Sequence, residues 1–186
     1  MTQRKTLLLI ILSVFLLAAN IAFAREPIRT VTGTVTKVSD GDTFTVHTPE
    51  QTKLKVRLYG IDAPETEKSD NRTGQTSKLG QPLGEDSKLH LISLVLGKTV
   101  RLEILDIDKY RRMVAIVWLG SKNANLEMIK AGMAEAYIKY LKDQPYKTQF
   151  ILAEKDARAK QLGIWSEGKY ERPSDFRKRM RVKGND

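Results

Sequence analysis

Val31-Thr32-Gly33-Thr34-Val35-Thr36-Lys37-Val38, then Asp40-Gly41, then Thr43-Phe44-Thr45-Val46 decide the fold. The first run alternates with period two and is rich in β-branched residues, the pattern of a strand with one buried face. Asp-Gly between two such runs is a hairpin signal. Working outward, Pro49 and Glu50 mark a second turn and 54–59 is a third alternating strand, so a three-stranded meander is predicted. Residues 67–81 are polar and rich in Ser, Asn, Thr and Gly, and read as an exposed, mobile loop. Residues 84–96 read as a helix with Leu89, Ile92, Leu94, Val95 and Leu96 on its apolar side, stopped by Gly97. Two more strands follow, 99–105 and 113–119, with a charged turn, 108–112, between them. A short helix over 125–130 is closed by Gly132. A longer one over 148–162, with Phe150, Ile151, Ala153, Ala157 and Leu162 inward, is ended by Gly163. Five short strands with a helix before the fourth predict an α+β chain that is mainly β: a Greek-key barrel with helices packed outside.

The 186 residues are enough for one domain with a real core. Arg4-Lys5, an apolar stretch centred on Leu7-Leu8-Leu9-Ile10-Ile11-Leu12, and Ala22-Phe23-Ala24 have the layout of a secretory signal peptide over 1–24; a retained membrane anchor is the alternative. Residues 25–30 form a short lead, 31–168 the domain and 169–186 a basic tail, whose plain reading is a frayed, solvated segment. Cleavage removes Arg4 and Lys5 and lowers the net charge from +10 to +8. A small exported protein this basic attracts polyanions, nucleic acid first and an anionic envelope second. There is no cysteine, which excludes disulfides, thiolate metal sites and cysteine nucleophiles. His47 and His90 lack ligand spacing and read as ordinary boundary residues.

Catalysis therefore rests on carboxylates, arginines, lysines, hydroxyls or a metal. Asp40-Gly41-Asp42-Thr43, the run from Arg57 to Glu65 that carries Asp62, and Asp108-Lys109-Tyr110-Arg111-Arg112 all flank apolar strands. Carboxylate oxygens hold hard cations, and guanidinium forks hold phosphate oxygens in pairs. That combination suits metal-assisted attack on a phosphodiester. Singly, each piece has a bland reading: a turn, a surface ion pair, a plain loop.

In this order and spacing the pieces, with the helix at 125–132 and Leu162-Gly163-Ile164-Trp165-Ser166, resemble the staphylococcal nuclease (thermonuclease) family from about Val31 to Ser166. The resemblance implies a five-stranded OB-fold barrel with three packed helices. It implies Asp42, Asp62 and the backbone carbonyl of Ala63 as Ca²⁺ ligands. It further implies Glu65 as the residue that activates water, and Arg57 and Arg112 as phosphate-binding catalytic arginines. Tyr110 and Tyr137 resemble the tyrosines of the nucleotide pocket, Tyr137 after a one-residue gap, and Lys109 adjoins the substrate. The chain departs from the family at Ala63, where threonine is common, at Arg111, where glycine is frequent, and in the longer loop after Glu65.

The expected activity is that of an exported, Ca²⁺-dependent endonuclease, periplasmic or secreted. It acts on DNA and RNA with little sequence specificity and leaves 3′-phosphate ends. It works as a monomer without a stable protein partner or a membrane. The alternative is a non-catalytic OB-type module for single-stranded nucleic acid; a basic envelope-binding protein leaves Asp42, Asp62 and Glu65 unexplained.

Overall fold

A computed structural model describes residues 26–70, 72–141, 146–166 and 168–183. The predicted leader over 1–24 and its expected cleavage site lie outside these residues. Among these residues, ten strands and four helices follow in order: β1 (Arg29–Asp40), β2 (Thr43–His47), β3 (Lys53–Leu58), β4 (Ile61–Asp62), β5 (Lys68–Ser69), β6 (Thr76–Lys78), α1 (Gly84–Val95), β7 (Thr99–Ile107), β8 (Met113–Leu119), β9 (Lys122–Asn123), α2 (Ala124–Lys130), β10 (Glu135–Ala136), α3 (Tyr146–Ala159) and α4 (Pro173–Lys183). A 3₁₀ turn, Gly163–Trp165, precedes α4. No helix among the described residues is long and apolar enough to cross a membrane.

The main sheet runs β3-β2-β1-β7-β8-β9, and β3 also pairs with β8 in parallel, Arg57 opposite Val114, so five strands close into a barrel. β1 serves both halves: Thr34 to Asp40 pair with β2, Arg29 to Thr34 with β7. Gly33 stands at this crossing, where an added Cβ would fall 2.4 Å from Val46 and 2.6 Å from the His47 carbonyl. Closure leaves no long free edge and buries Phe44, Val46, Val56, Leu58, Leu102 and Ile116 inside.

The predicted barrel and its five strands are present. The helix faces differ from expectation. α1 buries Gly84, Ser87, Leu91 and Val95, while Leu89 is 54% exposed. The buried positions follow one helical stripe, and two of them are small or polar, so the apolar residues alone point to the neighbouring stripe. In α3 the inward positions are Phe150, Glu154 and Ala157, not Ile151 or Leu162. Glu154 is accepted inside because its carboxylate takes the Ala136 N–H and the Arg158 guanidinium.

Two segments read as loose are built. Within 67–81, β5 and β6 form a hairpin, and Gln81 is buried. Strands of two and three residues are too short to show a period. The stretch read as a frayed tail makes α4, which buries Phe176. Proline at its first position and Asp175 in its first turn are ordinary helix-start signals that the basic run concealed.

Candidate active site

The Gly41-Asp42 turn between β1 and β2, the end of β3, β4 and the segment after it converge at one mouth of the barrel. Asp42 comes from the turn, and Arg57 lies opposite Thr43 on β3. Gly41 lets this turn lie close to α1, since a Cβ there would fall 2.1 Å from Ser87 Oγ. Asp62 sits on β4 opposite Glu135 of β10. Asp42 and Asp62 are 3% and 0% exposed, so each needs partners inside the protein.

Arg57 joins them. Its Nη1 lies 2.6 Å from Asp42 Oδ2 and its Nη2 2.7 Å from Asp62 Oδ1, with a longer bond from Nη2 to the Ile61 carbonyl. Asp42 also accepts the Thr43 hydroxyl at 2.8 Å and the Ala63 N–H at 3.1 Å. Burial nevertheless pushes the Asp42 carboxyl up to about 6, outweighing the pull of Arg57, with the charges of Asp40 and Asp62 adding to the rise. Arg57 itself is driven further toward its charged form, since Asp42 and Asp62 outweigh the cost of its burial.

Glu65 is buried and held by two cations. Lys78 of the hairpin pairs with Oε2, and Arg177 of α4 donates to Oε1 at 2.8 Å. Burial works to raise its carboxyl, but these two partners prevail and hold it below the ordinary range. Gln81 fixes its backbone from both sides. The Glu65 N–H donates to Gln81 Oε1 at 3.1 Å, and the Gln81 N–H donates to the Glu65 carbonyl at 2.8 Å. Gln81 Nε2 also reaches the Glu171 carbonyl, tying the hairpin to the start of α4. Asp40, beyond starting the turn, clamps the same segment by accepting the N–H and hydroxyl of Thr66.

Arg112 comes from the β7–β8 turn. Asp108 accepts the Tyr110 and Arg112 N–H groups through Oδ1 and the Arg112 guanidinium through Oδ2 at 2.7 Å, so Asp108 holds this loop. The turn carries Arg111 at φ 61, the left-handed conformation that glycine supplies at no cost. Arg112 Nη1 points back to Thr43 Oγ1 at 3.5 Å, which places it beside Asp42. Tyr110 is 66% exposed, with Lys109 and Arg112 over its ring at 5.1 and 5.4 Å. Tyr137 lies near Asp62 and Arg177, its ring tilted at 59° against Tyr140 with centroids 4.8 Å apart. Burial raises its phenol, the Asp62 charge adds to this, and Arg177 opposes it.

The structure thus brings Asp42, Arg57, Asp62, Ala63 and Glu65 into one cluster, with Arg112 and Tyr137 adjoining it. Ala63 enters through its N–H. Sequence reasoning missed Lys78, Gln81, Arg177 and the buried Glu135, whose carboxylate takes the Arg172 guanidinium at 3.0 and 3.1 Å. Lys78 and Arg177 sit among many exposed basic residues, with nothing local to set them apart.

No group of three or more His, Cys, Asp or Glu side chains among the described residues is arranged as a metal cage. The donors present are two hard carboxylates, Asp42 and Asp62, bridged by Arg57. They fit a loosely held divalent ion that draws its remaining ligands from water and phosphate, and exclude a soft-metal site.

A closed OB barrel with paired carboxylates, guanidinium forks and a buried glutamate at one mouth defines a phosphodiester-hydrolase type of site. Comparison with known families matches residues 55–167 to the staphylococcal nuclease homologues. The chain is 36% identical over 182 residues to an uncharacterised endonuclease of Haemophilus influenzae, covering 98% of this chain and 90% of that one. It is 33% identical to the endonuclease Htp3 of Saprolegnia parasitica, covering 81% and 77%, and 31% identical to a probable staphylococcal-like nuclease, CAN2, of rice, covering 69% and 30%. The chain belongs to the staphylococcal nuclease homologue family, and is a nuclease of that class.

Proposed function

We propose that this protein is an exported, Ca²⁺-dependent endonuclease that hydrolyses DNA and RNA with little sequence specificity and leaves 3′-phosphate ends. The observation that carries the reading is Arg57 bridging Asp42 and Asp62 beside Glu65. Water attack on a phosphodiester builds negative charge on the non-bridging oxygens, and donors already in place there lower the barrier. Arg57 and Arg112, held at this mouth by Asp42, Asp62 and Asp108, bring guanidinium charge and their remaining N–H groups to those oxygens. Asp42 and Asp62 would hold Ca²⁺, which supplies further positive charge at the phosphate. Glu65 takes the proton of the attacking water as the new P–O bond forms, the bond to the 5′ oxygen breaks, and the leaving 5′ oxygen takes a proton from water to become the 5′-hydroxyl. Contacts of this kind go to phosphate, which carries no base identity, so specificity is low. Tyr110 and Tyr137 flank the cluster as ring surfaces for a nucleotide, and Lys109 adds charge at the rim.

The test is incubation of the purified chain, without residues 1–24, with single-stranded DNA in Ca²⁺ or in chelator, following chain length. Shortening in Ca²⁺, loss in chelator and full recovery on adding Ca²⁺ are expected, with 3′-phosphates on the products by mass spectrometry. Full hydrolysis in chelator would falsify the cation reading. Binding of the strand in Ca²⁺ without shortening would favour a non-catalytic OB module.

Export rests on the leader-like residues 1–24. Intact mass of the protein recovered from outside the cytoplasm is expected to begin at or near Arg25. A mass that retains 1–24 would mean that the segment stays as an anchor.

A further inference from the structure

Arg177 lies outside every stretch that the sequence marks as catalytic, yet its guanidinium reaches both Asp62 and Glu65. Nη1 donates to Asp62 Oδ1 at 3.1 Å and to Glu65 Oε1 at 2.8 Å, and Nη2 to Asp62 Oδ2 at 2.7 Å. All six carboxylate oxygens of Asp42, Asp62 and Glu65 are engaged. Thr43, Arg57 and the Ala63 N–H occupy Asp42; Arg57 shares Asp62 Oδ1; Lys78 holds Glu65 Oε2. Three carboxylates face three cationic side chains, so the cluster is near charge balance.

A divalent ion needs those oxygens and brings two more positive charges. In a buried cluster already balanced, that addition is unfavourable unless a cationic side chain withdraws. Arg57 is poorly suited to leave, since it comes from the barrel wall, is bonded to both aspartates and the Ile61 carbonyl, and is only 16% exposed. Lys78 touches Glu65 but is not bonded to Asp62. Arg177 takes both oxygens of Asp62 and one of Glu65, from a side chain 27% exposed. Its helix has independent anchors: Phe176 is buried, Arg172 is paired with Glu135, and the Glu171 carbonyl is held by Gln81. The guanidinium can therefore swing away on its own flexible stem while α4 stays docked.

We propose that Arg177 is a latch on the cation site: it competes with the divalent ion for Asp62 and Glu65, and its withdrawal both opens Asp62 to the ion and frees Glu65 for the attacking water. This rests on the cation-dependent nuclease reading above. It makes cation binding the step that arms the site.

Isothermal titration of Ca²⁺ into the purified chain without nucleic acid reads the competition directly. Arg177→Met keeps the stem and removes the charge, and is expected to tighten Ca²⁺ binding by about tenfold or more, the scale of a charge-assisted pair that no longer has to be displaced. Arg177→Lys keeps the charge but cannot span both carboxylates, and should fall between. Arg179→Met makes the same charge change on the same helix, where its partner is Glu171, and should alter affinity by less than about twofold. Circular dichroism checks that each variant is folded; if Arg177→Met is not, the Arg177→Lys result decides. Unchanged or weaker Ca²⁺ binding in the Arg177 variants, with wild-type protein binding Ca²⁺ and cutting DNA, overturns the latch and leaves the nuclease reading standing. Absence of Ca²⁺ binding in wild type and variants alike overturns both.

Discussion

Arg57→Lys is expected to lower single-turnover hydrolysis by about 10²–10³-fold, and Glu65→Gln by about 10²–10⁴-fold, with nucleotide affinity changed far less. Lysine keeps the positive charge of Arg57 but presents a point charge. It cannot reach Asp42 and Asp62 together, nor offer paired donors to a phosphate. Glutamine keeps the size of Glu65 and loses the group that takes the proton of water. The choice of lysine matters. A neutral replacement of Arg57 leaves two buried aspartates without their shared counter-charge, at a cost on the order of 3–5 kcal/mol, so its inactivity would be confounded with unfolding. Single-turnover rate, binding affinity and a thermal melt are the three measurements. Wild-type rates in both variants would remove Arg57 and Glu65 from the mechanism and promote the binding-module reading.

Asn125→Ala is expected to destabilise the protein by about 4 kcal/mol, since the Tyr59 carbonyl and the Val117 N–H lose this buried partner at about 1–3 kcal/mol each, while the Ala115 carbonyl keeps the Tyr59 N–H at 2.8 Å. Asn125 is fully buried at the start of α2. Its Nδ2 donates to the Tyr59 carbonyl at 2.9 Å and the Ala115 carbonyl at 3.1 Å, and its Oδ1 accepts the Val117 N–H at 2.9 Å. One side chain thus ties α2 to β8 and to the turn between β3 and β4, just ahead of Asp62. For a domain of this size the thermal midpoint should fall by roughly 10 °C or more. A fall worth less than about 1 kcal/mol would show that water or a shifted backbone satisfies those groups.

Two segments outside the catalytic stretches reach the same glutamate. The longer segment after Glu65 supplies Lys78 and Gln81, and the C-terminal segment supplies Arg177. Gln81 links the two by holding Glu65 with its backbone and Glu171 with its side chain. Both segments therefore act on Glu65. The Arg111 turn is a separate matter: Asp108 holds it in shape from within, and Arg112 still reaches Thr43.

The barrel was legible because strand alternation is local. Runs such as 31–38, 54–59 and 99–105 record which face is buried, and Asp40-Gly41 records the first turn. Asp42, Arg57, Asp62 and Glu65 were legible as a set because their motifs, in order, resemble the staphylococcal nuclease family, and the closed barrel gathers them at one mouth. Which side of α1 and α3 turns inward was not, because Gly84, Ser87 and Glu154 are buried for reasons of close approach and hydrogen bonding that hydrophobicity does not register. The sequence by itself determined a five-stranded barrel carrying carboxylates and arginines for phosphodiester chemistry. Only the tertiary structure decided that Lys78 and Arg177 belong to the site, because an ion pair between residues 112 positions apart leaves no mark on either one. A basic side chain reads the same whether it faces solvent or a buried carboxylate, and only the packing of α4 through Phe176 makes Arg177 the latter.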